Sequence, residues 1–183
     1  ASALLDKKVA SAIPKLRMIS SSKLFIRTEK KFWLDENGKP RADIPQVILT
    51  DRGPCNVFCL DYDDFTDHGI VAVSYTWGDE STKLQGMSPQ ERLKECKNVI
   101  QEVSPEFAEN LVPINDEIHC TDWQARNNQH GAFKFLSPGQ EVSQKELYHH
   151  YLDKPRSGVF LAGDSVGYCG GWAESAVISS VNA

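Results

Sequence analysis

The sequence predicts an α+β fold, with a sheet assembled in the first half of the chain and helices after it, and three patterns carry that reading. Apolar and polar residues alternate in four short segments rich in β-branched and aromatic side chains, at 23–28, 46–50, 56–60 and 70–75. From Ser88 onward the apolar residues recur at helical spacing instead. The chain closes on a short apolar run, a glycine-rich turn and a second helical pattern.

Side chains of a strand point alternately to its two faces, so each alternating segment reads as a half-buried strand, and the four are expected to share one sheet. Between them, Asp35-Glu-Asn-Gly-Lys-Pro40 and Asp51-Arg-Gly-Pro54 read as turns, because Asn-Gly and Gly-Pro supply the backbone angles a turn needs. Ser88 is a capping residue and Pro89 suits the first helical position. Leu93, Cys96, Ile100 and Val103 then form an apolar stripe along about four turns of surface helix. A helix is expected over 143–152, stopped by Asp153-Lys-Pro155. Residues 158–162, Gly-Val-Phe-Leu-Ala, read as a fully buried strand, and 171–181 as the helix that follows it.

Composition narrows the function classes. In 183 residues, 40% are hydrophobic and 25% charged, which is the range of a folded globular chain. The net charge of −5 with no basic run argues against nucleic acid and against an anionic membrane surface as partner. No apolar run reaches the roughly 18 residues of a membrane span, and the first ten residues lack the pattern of a secretory signal. A cytoplasmic location is expected. The chain starts at Ala1 rather than Met, which is expected of a processed end or of one piece of a longer chain. Five cysteines (Cys55, Cys59, Cys96, Cys120, Cys169) without zinc spacing read as free thiols rather than a metal site.

The chemistry is concentrated near the C-terminus. In Gly163-Asp-Ser-Val-Gly-Tyr-Cys-Gly-Gly-Trp-Ala-Glu-Ser-Ala176, a carboxylate stands at the mouth of the expected strand and two glycines open a helix. A carboxylate only accepts hydrogen bonds, so beside a nucleotide Asp164 suits ribose or ribityl hydroxyls and repels phosphate. Gly170 and Gly171 let backbone approach a flat ligand, the helix amides offer partial positive charge, and Trp172 would cover the ligand's edge. On the residues alone, a tight turn with an Asp cap and a core tryptophan is an equal reading. Neither a phosphate loop of the Gly-Lys-Ser/Thr kind nor a Gly-x-Gly-x-x-Gly fingerprint is present.

The run Gly158-Val-Phe-Leu-Ala-Gly-Asp-Ser165 followed by Gly170-Gly-Trp-Ala-Glu-Ser-Ala176 resembles the C-terminal flavin motif of the flavin amine oxidase superfamily, in its L-amino-acid oxidase and tryptophan 2-monooxygenase branch. Monoamine and polyamine oxidases usually carry Tyr-Met-Glu where this chain has Trp172-Ala173-Glu174. Three more blocks agree in order: 20–33, 70–80, and Trp123 leading to Gly131-Ala-Phe-Lys-Phe135. The resemblance implies the C-terminal part of a two-domain flavoprotein: a mixed-sheet substrate domain plus the closing strand and helix of a Rossmann-like FAD domain. The expected division is 1–19 as a helix or connector from the FAD domain, 20–135 as substrate sheet, 136–157 as a connector with a helix, and 158–183 as the closing strand, turn and helix.

The same resemblance implies FAD as cofactor and assigns roles. Lys23 matches the lysine that holds a water at flavin N5, although a lysine opening a strand is by default solvated. Asp164 with Gly163 matches the ribityl side of the flavin site, and Trp172, Ala173 and Ala176 match the stretch whose backbone meets the flavin pyrimidine. The Gly171 carbonyl matches the acceptor for the substrate amine, Trp172 one wall of the substrate site, Tyr62 the tyrosine that holds the substrate carboxylate, and Trp123 a neighbour of the substrate side chain. Tyr62 and Tyr75 also suit plain sheet packing, and Trp33, Trp77 and Trp123 the core.

Two family features are missing: the N-terminal dinucleotide fingerprint and the arginine for the substrate carboxylate. A second chain of the same precursor supplying both, in an oligomeric assembly, is therefore expected. The implied reaction is oxidation of an L-amino acid at Cα with O2 as terminal acceptor, giving keto acid, ammonia and hydrogen peroxide. An amino-acid 2-monooxygenase that yields the amide by oxidative decarboxylation is the alternative, and a non-catalytic fragment or interaction domain is a second one.

Overall fold

All four alternating segments become neighbours in a single antiparallel sheet of the computed structural model, which describes residues 4–53, 56–61, 66–153 and 158–183. In chain order the elements are α1 (Lys7–Ala12), β1 (Met18–Ile19), β2 (Ser21–Thr28), β3 (Val47–Leu49), β4 (Asn56–Leu60), β5 (Gly69–Trp77), α2 (Gly78–Gln85), α3 (Pro89–Val103), α4 (Pro105–Asn110), β6 (Ile118–Asp122), β7 (Phe133–Lys134), α5 (Glu141–Tyr148) and α6 (Ala173–Asn182), with short 3-10 turns between several of them. Helices and antiparallel sheet together make the fold α+β, as the patterning predicts. The chain divides into two compact units, residues 20–126 and residues 1–19 with 127–183.

Residues 20–126 form a five-stranded sheet in the order β3-β4-β5-β2-β6. The long strands β2 and β5 run side by side from Ser21↔Trp77 to Thr28↔Gly69, with a bulge between Leu24 and Phe25. One face is closed: Leu24, Ile26, Val57, Val71 and Val73 pack with Leu93, Cys96 and Ile100 of α3, Phe107 of α4 and the buried Trp33. α3 begins where the sequence says, and Ser88 and Glu91 complete a capping box around Pro89. The sequence does not announce β6: Ile-His-Cys-Thr-Asp carries too weak an alternation to stand out, yet it extends the sheet beside β2.

By strand alternation, Lys23, Phe25, Phe58, Ile70, Tyr75 and Trp77 share the opposite face of the sheet. That face is more open, with Trp77 52% exposed, so the sheet has one packed side and one side offered outward.

The second unit is built on smaller contacts. β1 and β7 pair as a two-residue ladder, Met18↔Lys134 and Ile19↔Phe133. Val9 and Ala12 of α1 pack with Leu147 of α5. Two expectations need correction. Residues 158–162 are not a regular strand, and among the described residues no ladder includes them. A strand is a property of a ladder, and here the Leu161 amide donates to His150 Nε2 (2.8 Å) instead. The final helix starts at Ala173 rather than 171, because Gly171 sits at φ +81° and Trp172 is extended. Helix α5 runs Glu141–Tyr148, with a 3-10 turn continuing over His150–Asp153.

Candidate functional site

The site residues expected from the sequence fall in both units. In the second unit, the chain leaves Ala162, turns at Gly163 (φ +127°) and runs through a tight loop to α6. Asp164 Oδ2 accepts the amide of Gly171 (3.0 Å), so one carboxylate ties the first and last turns of the loop together. Ser165 Oγ reaches the other oxygen of the same carboxylate at 3.5 Å. An ionised carboxylate has room for about four acceptor bonds, so this staple leaves lone pairs for ligand hydroxyls. The bond lies within the loop, two residues before the start of α6, so Asp164 ties the loop and does not cap the helix.

Small residues let the loop lie against α6. Ser179 Oγ donates to the Gly163 carbonyl (2.9 Å) and accepts the Gly163 amide (2.9 Å), and the Cys169 amide donates to Ser175 Oγ (3.1 Å). A Cβ on Gly167 would meet Ser175 Oγ at 2.1 Å, so that position admits only glycine. At the front, α6 has no side-chain cap. Gly171, Trp172, Ala173 and Glu174 are exposed, Trp172 at 65%. The amides that open α6 thus point outward with their partial positive charge unmasked by a capping side chain, flanked by the Trp172 ring. Ala176 follows one turn later, its amide bonded to the Trp172 carbonyl (3.3 Å).

Beneath this surface lies a buried lysine. Lys134 of β7 is 3% exposed, and its ammonium donates to Gln144 Oε1 (2.5 Å) and to the Gly167 carbonyl. Gln144 Nε2 also donates to the Gly167 carbonyl (2.7 Å). Burial pulls the Lys134 ammonium down to about 8, against the opposing pull of Asp164 and Cys169. Sequence reasoning missed it: in Phe133-Lys134-Phe135 a lysine between aromatics looks like the wet side of an alternating strand. Phe133 was also unassigned, and it packs under Gly171, where a Cβ would lie 3.2 Å from the ring.

In the sheet unit, Lys23 is half-buried, with its ammonium 4.5 Å from the centroid of the Tyr75 ring, directly across from it in the ladder. Tyr75 in turn meets Trp77 edge to face, centroids 5.6 Å apart. The neighbouring residue Ser22 points to the other side of the strand. Its hydroxyl donates to Asp122 Oδ1 (2.6 Å), and Asp122 takes a two-pronged bond from the buried Arg92 (2.9 Å each). Burial pushes the Asp122 carboxyl up, but the hydrogen bonds from Arg92 and Ser22 and the Arg92 charge outweigh it and hold the group below the usual carboxylate range. Trp123 opens a 3-10 turn directly after β6, its ring carrying the Arg126 guanidinium at 5.0 Å. Tyr62 lies outside the described residues.

The residues present fit a flavin. A hydroxyl acceptor, close-packed glycines, uncapped helix amides and an exposed indole are the donor set and shape that a flat, polyhydroxylated ring system needs.

Comparison with known proteins identifies the family. The family model described as flavin containing amine oxidoreductase matches residues 2–183. Tryptophan 2-monooxygenase of Rhizobium radiobacter is 37% identical over 188 residues, covering 98% of this chain and 24% of the relative. The enzyme of that name from Pseudomonas savastanoi is 33% identical over 191 residues, covering 97% and 33%. A Bacillus subtilis (strain 168) protein carrying an L-amino-acid oxidase name is 25% identical over 173 residues, covering 93% and 33%. The chain therefore spans about a quarter to a third of the length of these relatives. It belongs to the flavin containing amine oxidoreductase family.

Proposed function

We propose that this chain forms part of an FAD-dependent enzyme that oxidises an L-amino acid at Cα. The observation that supports this best is the loop from Gly163 to Trp172, which ties Asp164 to Gly171 and leaves the amides of α6 uncapped, in a chain the family model matches almost end to end. When bound, the flavin supplies the two-electron acceptor that no side chain can provide. The chain's own residues orient and polarise. Asp164 takes ribityl hydroxyls on its free lone pairs, and the amides of Ala173 and its neighbours stabilise negative charge at the ring edge.

On the substrate side, the Gly171 carbonyl accepts the amine, whose nitrogen must be neutral before Cα is oxidised, and Trp172 walls the pocket. Lys23 holds a water on the open face of the sheet, with Tyr75 limiting where its ammonium can go. Tyr62 is the candidate for the substrate carboxylate. The arginine and the dinucleotide fingerprint that complete such a site come from polypeptide outside these residues, either the same chain extended or a processed partner in an oligomer.

The names of the relatives favour the monooxygenase outcome, with L-tryptophan the first substrate to test. The oxidase outcome is the second reading, supported by the weaker likeness to the Bacillus protein. A panel of L-amino acids assayed with the intact flavoprotein separates them: amide with carbon dioxide supports the first, peroxide with keto acid the second. A purified protein without visible flavin absorption would refute both. Lys23→Met is expected to slow flavin reduction or its reoxidation by at least about tenfold, and unchanged rates for both would remove Lys23 from the mechanism.

A further inference from the structure

A buried lysine needs a reason, because an ammonium is among the costliest groups to take out of water. Lys134 reaches its position through the two-residue β1–β7 ladder and sits on the floor of a cavity of about 700 Å³ walled by Phe133, Phe135, Tyr148 and Tyr168. Among the described residues it faces no acid at ion-pair distance. Its donors go to Gln144 and to one backbone oxygen, the Gly167 carbonyl, which Gln144 also holds. Gln144 Nε2 lies 3.4 Å from the Tyr168 carbonyl as well. The loop is thus fixed at Gly167, at Cys169 by Ser175 and at Gly171 by Asp164. Between these ties, Gly170 lies so close to β7 that a Cβ there would stand 2.3 Å from the Lys134 carbonyl oxygen.

From this geometry we propose that Lys134 and Gln144 are positioning residues: they clamp the Gly167 carbonyl and so hold the 163–171 loop in the form that presents Asp164 and the start of α6 to the flavin. The inference rests on the reading of that loop as flavin-facing. The pair's hydrogen bonds run to each other and to the loop backbone. It works through the loop, whose glycines give it little rigidity of its own. A fully satisfied buried polar network specifies one backbone conformation where apolar packing alone would tolerate several. Asp164 and Cys169 on the loop side act electrostatically on the ammonium, and Glu141, Lys145, Tyr148, His149 and Tyr168 are the other titratable groups that line the cavity.

The test uses the intact protein containing this chain, with Lys134→Met and, independently, Gln144→Leu, each checked for folding by circular dichroism. Amide hydrogen exchange of residues 163–171 is read first, without flavin. Removing a charge-assisted bond to Gly167 should speed exchange across the loop roughly tenfold or more, while the sheet of residues 20–126 stays protected. The flavin is then read by its visible spectrum, its dissociation constant and its reduction potential. Faster loop exchange together with weaker flavin binding and a displaced potential supports the proposal. Unchanged loop exchange in a folded variant overturns the clamp, whatever the flavin does. A loosened loop with an unaltered flavin would instead refute the flavin-facing reading of the loop and end the proposal with it. Should Lys134→Met not fold, Gln144→Leu tests the same carbonyl with the ammonium retained.

Discussion

Arg92→Met isolates the cost of an orphaned charge in the sheet unit. The Arg92 guanidinium is 5% exposed as a residue, and it meets both oxygens of Asp122 at 2.9 Å while Nε reaches the Met87 carbonyl at 3.2 Å. With the cation gone, the Ser22 hydroxyl is the one side-chain donor left to Asp122 among the described residues, and the Asp122 side chain is 18% exposed. Breaking one partner of a buried pair costs about 3–5 kcal/mol, chiefly because the survivor is left charged and poorly solvated; the partial exposure of Asp122 places the expected loss near ~3 kcal/mol. Replacing both, as Arg92→Met with Asp122→Leu, removes that penalty and should return to within ~1 kcal/mol of the parent. Acid should also relieve the single variant. In the parent, Asp122 is held below its ordinary range, so its contribution is present above the unfolded pKa of a free aspartate and is lost as pH falls through the lowered folded value. In Arg92→Met the cation is absent, leaving burial opposed only by the Ser22 bond, so the group protonates at higher pH than in the parent and the penalty shrinks as pH falls. Urea unfolding followed by tryptophan fluorescence at pH 7 and pH 4.5 measures all of this. A single-variant loss under ~1 kcal/mol, or a double variant as damaged as the sum of its parts, would refute the reasoning.

Two further outcomes follow from the C-terminal unit. Lys134 titrates near 8 when folded and near 10.5 when unfolded, so the unfolded chain binds more protons between those values and stability should rise with pH across that window. The shift corresponds to at most ~3.4 kcal/mol and to about half that after solvent screening through the open cavity; Lys134→Met should flatten the pH dependence of thermal unfolding between pH 8 and 10, and an unchanged slope would contradict it. Gly170→Ala forces a methyl to within 2.3 Å of the Lys134 carbonyl oxygen, and a backbone atom cannot step aside, so a loss of about 1–3 kcal/mol is expected in denaturant unfolding; a neutral result would mean the loop does not lie on β7.

Much of the sheet unit was legible because alternation is a local signal: 23–28, 46–50, 56–60 and 70–75 each carried enough β-branched and aromatic residues to announce a strand, and they became β2, β3, β4 and β5. Ser88-Pro89 announced α3 equally well. What escaped were elements whose existence depends on a distant partner. β1 and β7 have two residues each, and α2, Gly-Asp-Glu-Ser-Thr-Lys-Leu-Gln, begins at a glycine with φ +60° and shows only Leu84 and Ser81 to the interior. Of the candidate site, the residues of 163–176 could be named, since glycines and a carboxylate beside a helix pattern are a local arrangement. The supports beneath them could not: neither the Lys134–Gln144 pair nor Arg92–Asp122 has a sequence spacing that foretells contact, because each joins segments through the tertiary fold.

Helix α6 shows where local pattern and burial part company. Its periodicity would ordinarily send Val177, Ile178 and Val181 inward, yet these are 61%, 50% and 80% exposed, and the buried positions are Ser175 and Ser179. Close approach decides it. The two serines are small enough to let the loop backbone at Gly163 and Cys169 reach the helix, and their hydroxyls satisfy groups that a valine there would leave unpaired. The apolar side is consequently turned away from the loop, and an exposed row of three branched side chains on one helix is a surface that wants cover. Under the proposed function, that cover is the remainder of the FAD domain, to which α6 would present its apolar side while its uncapped amino end meets the cofactor. One helix would then join two tasks, and burying its outer face would fix the direction in which its amides point. Val181→Lys provides the check in the intact flavoprotein: introducing a charge into that face, remote from the amino end of α6, should weaken FAD retention, whereas unchanged cofactor affinity would show that the outer face stays in water and that the orientation of α6 owes nothing to it.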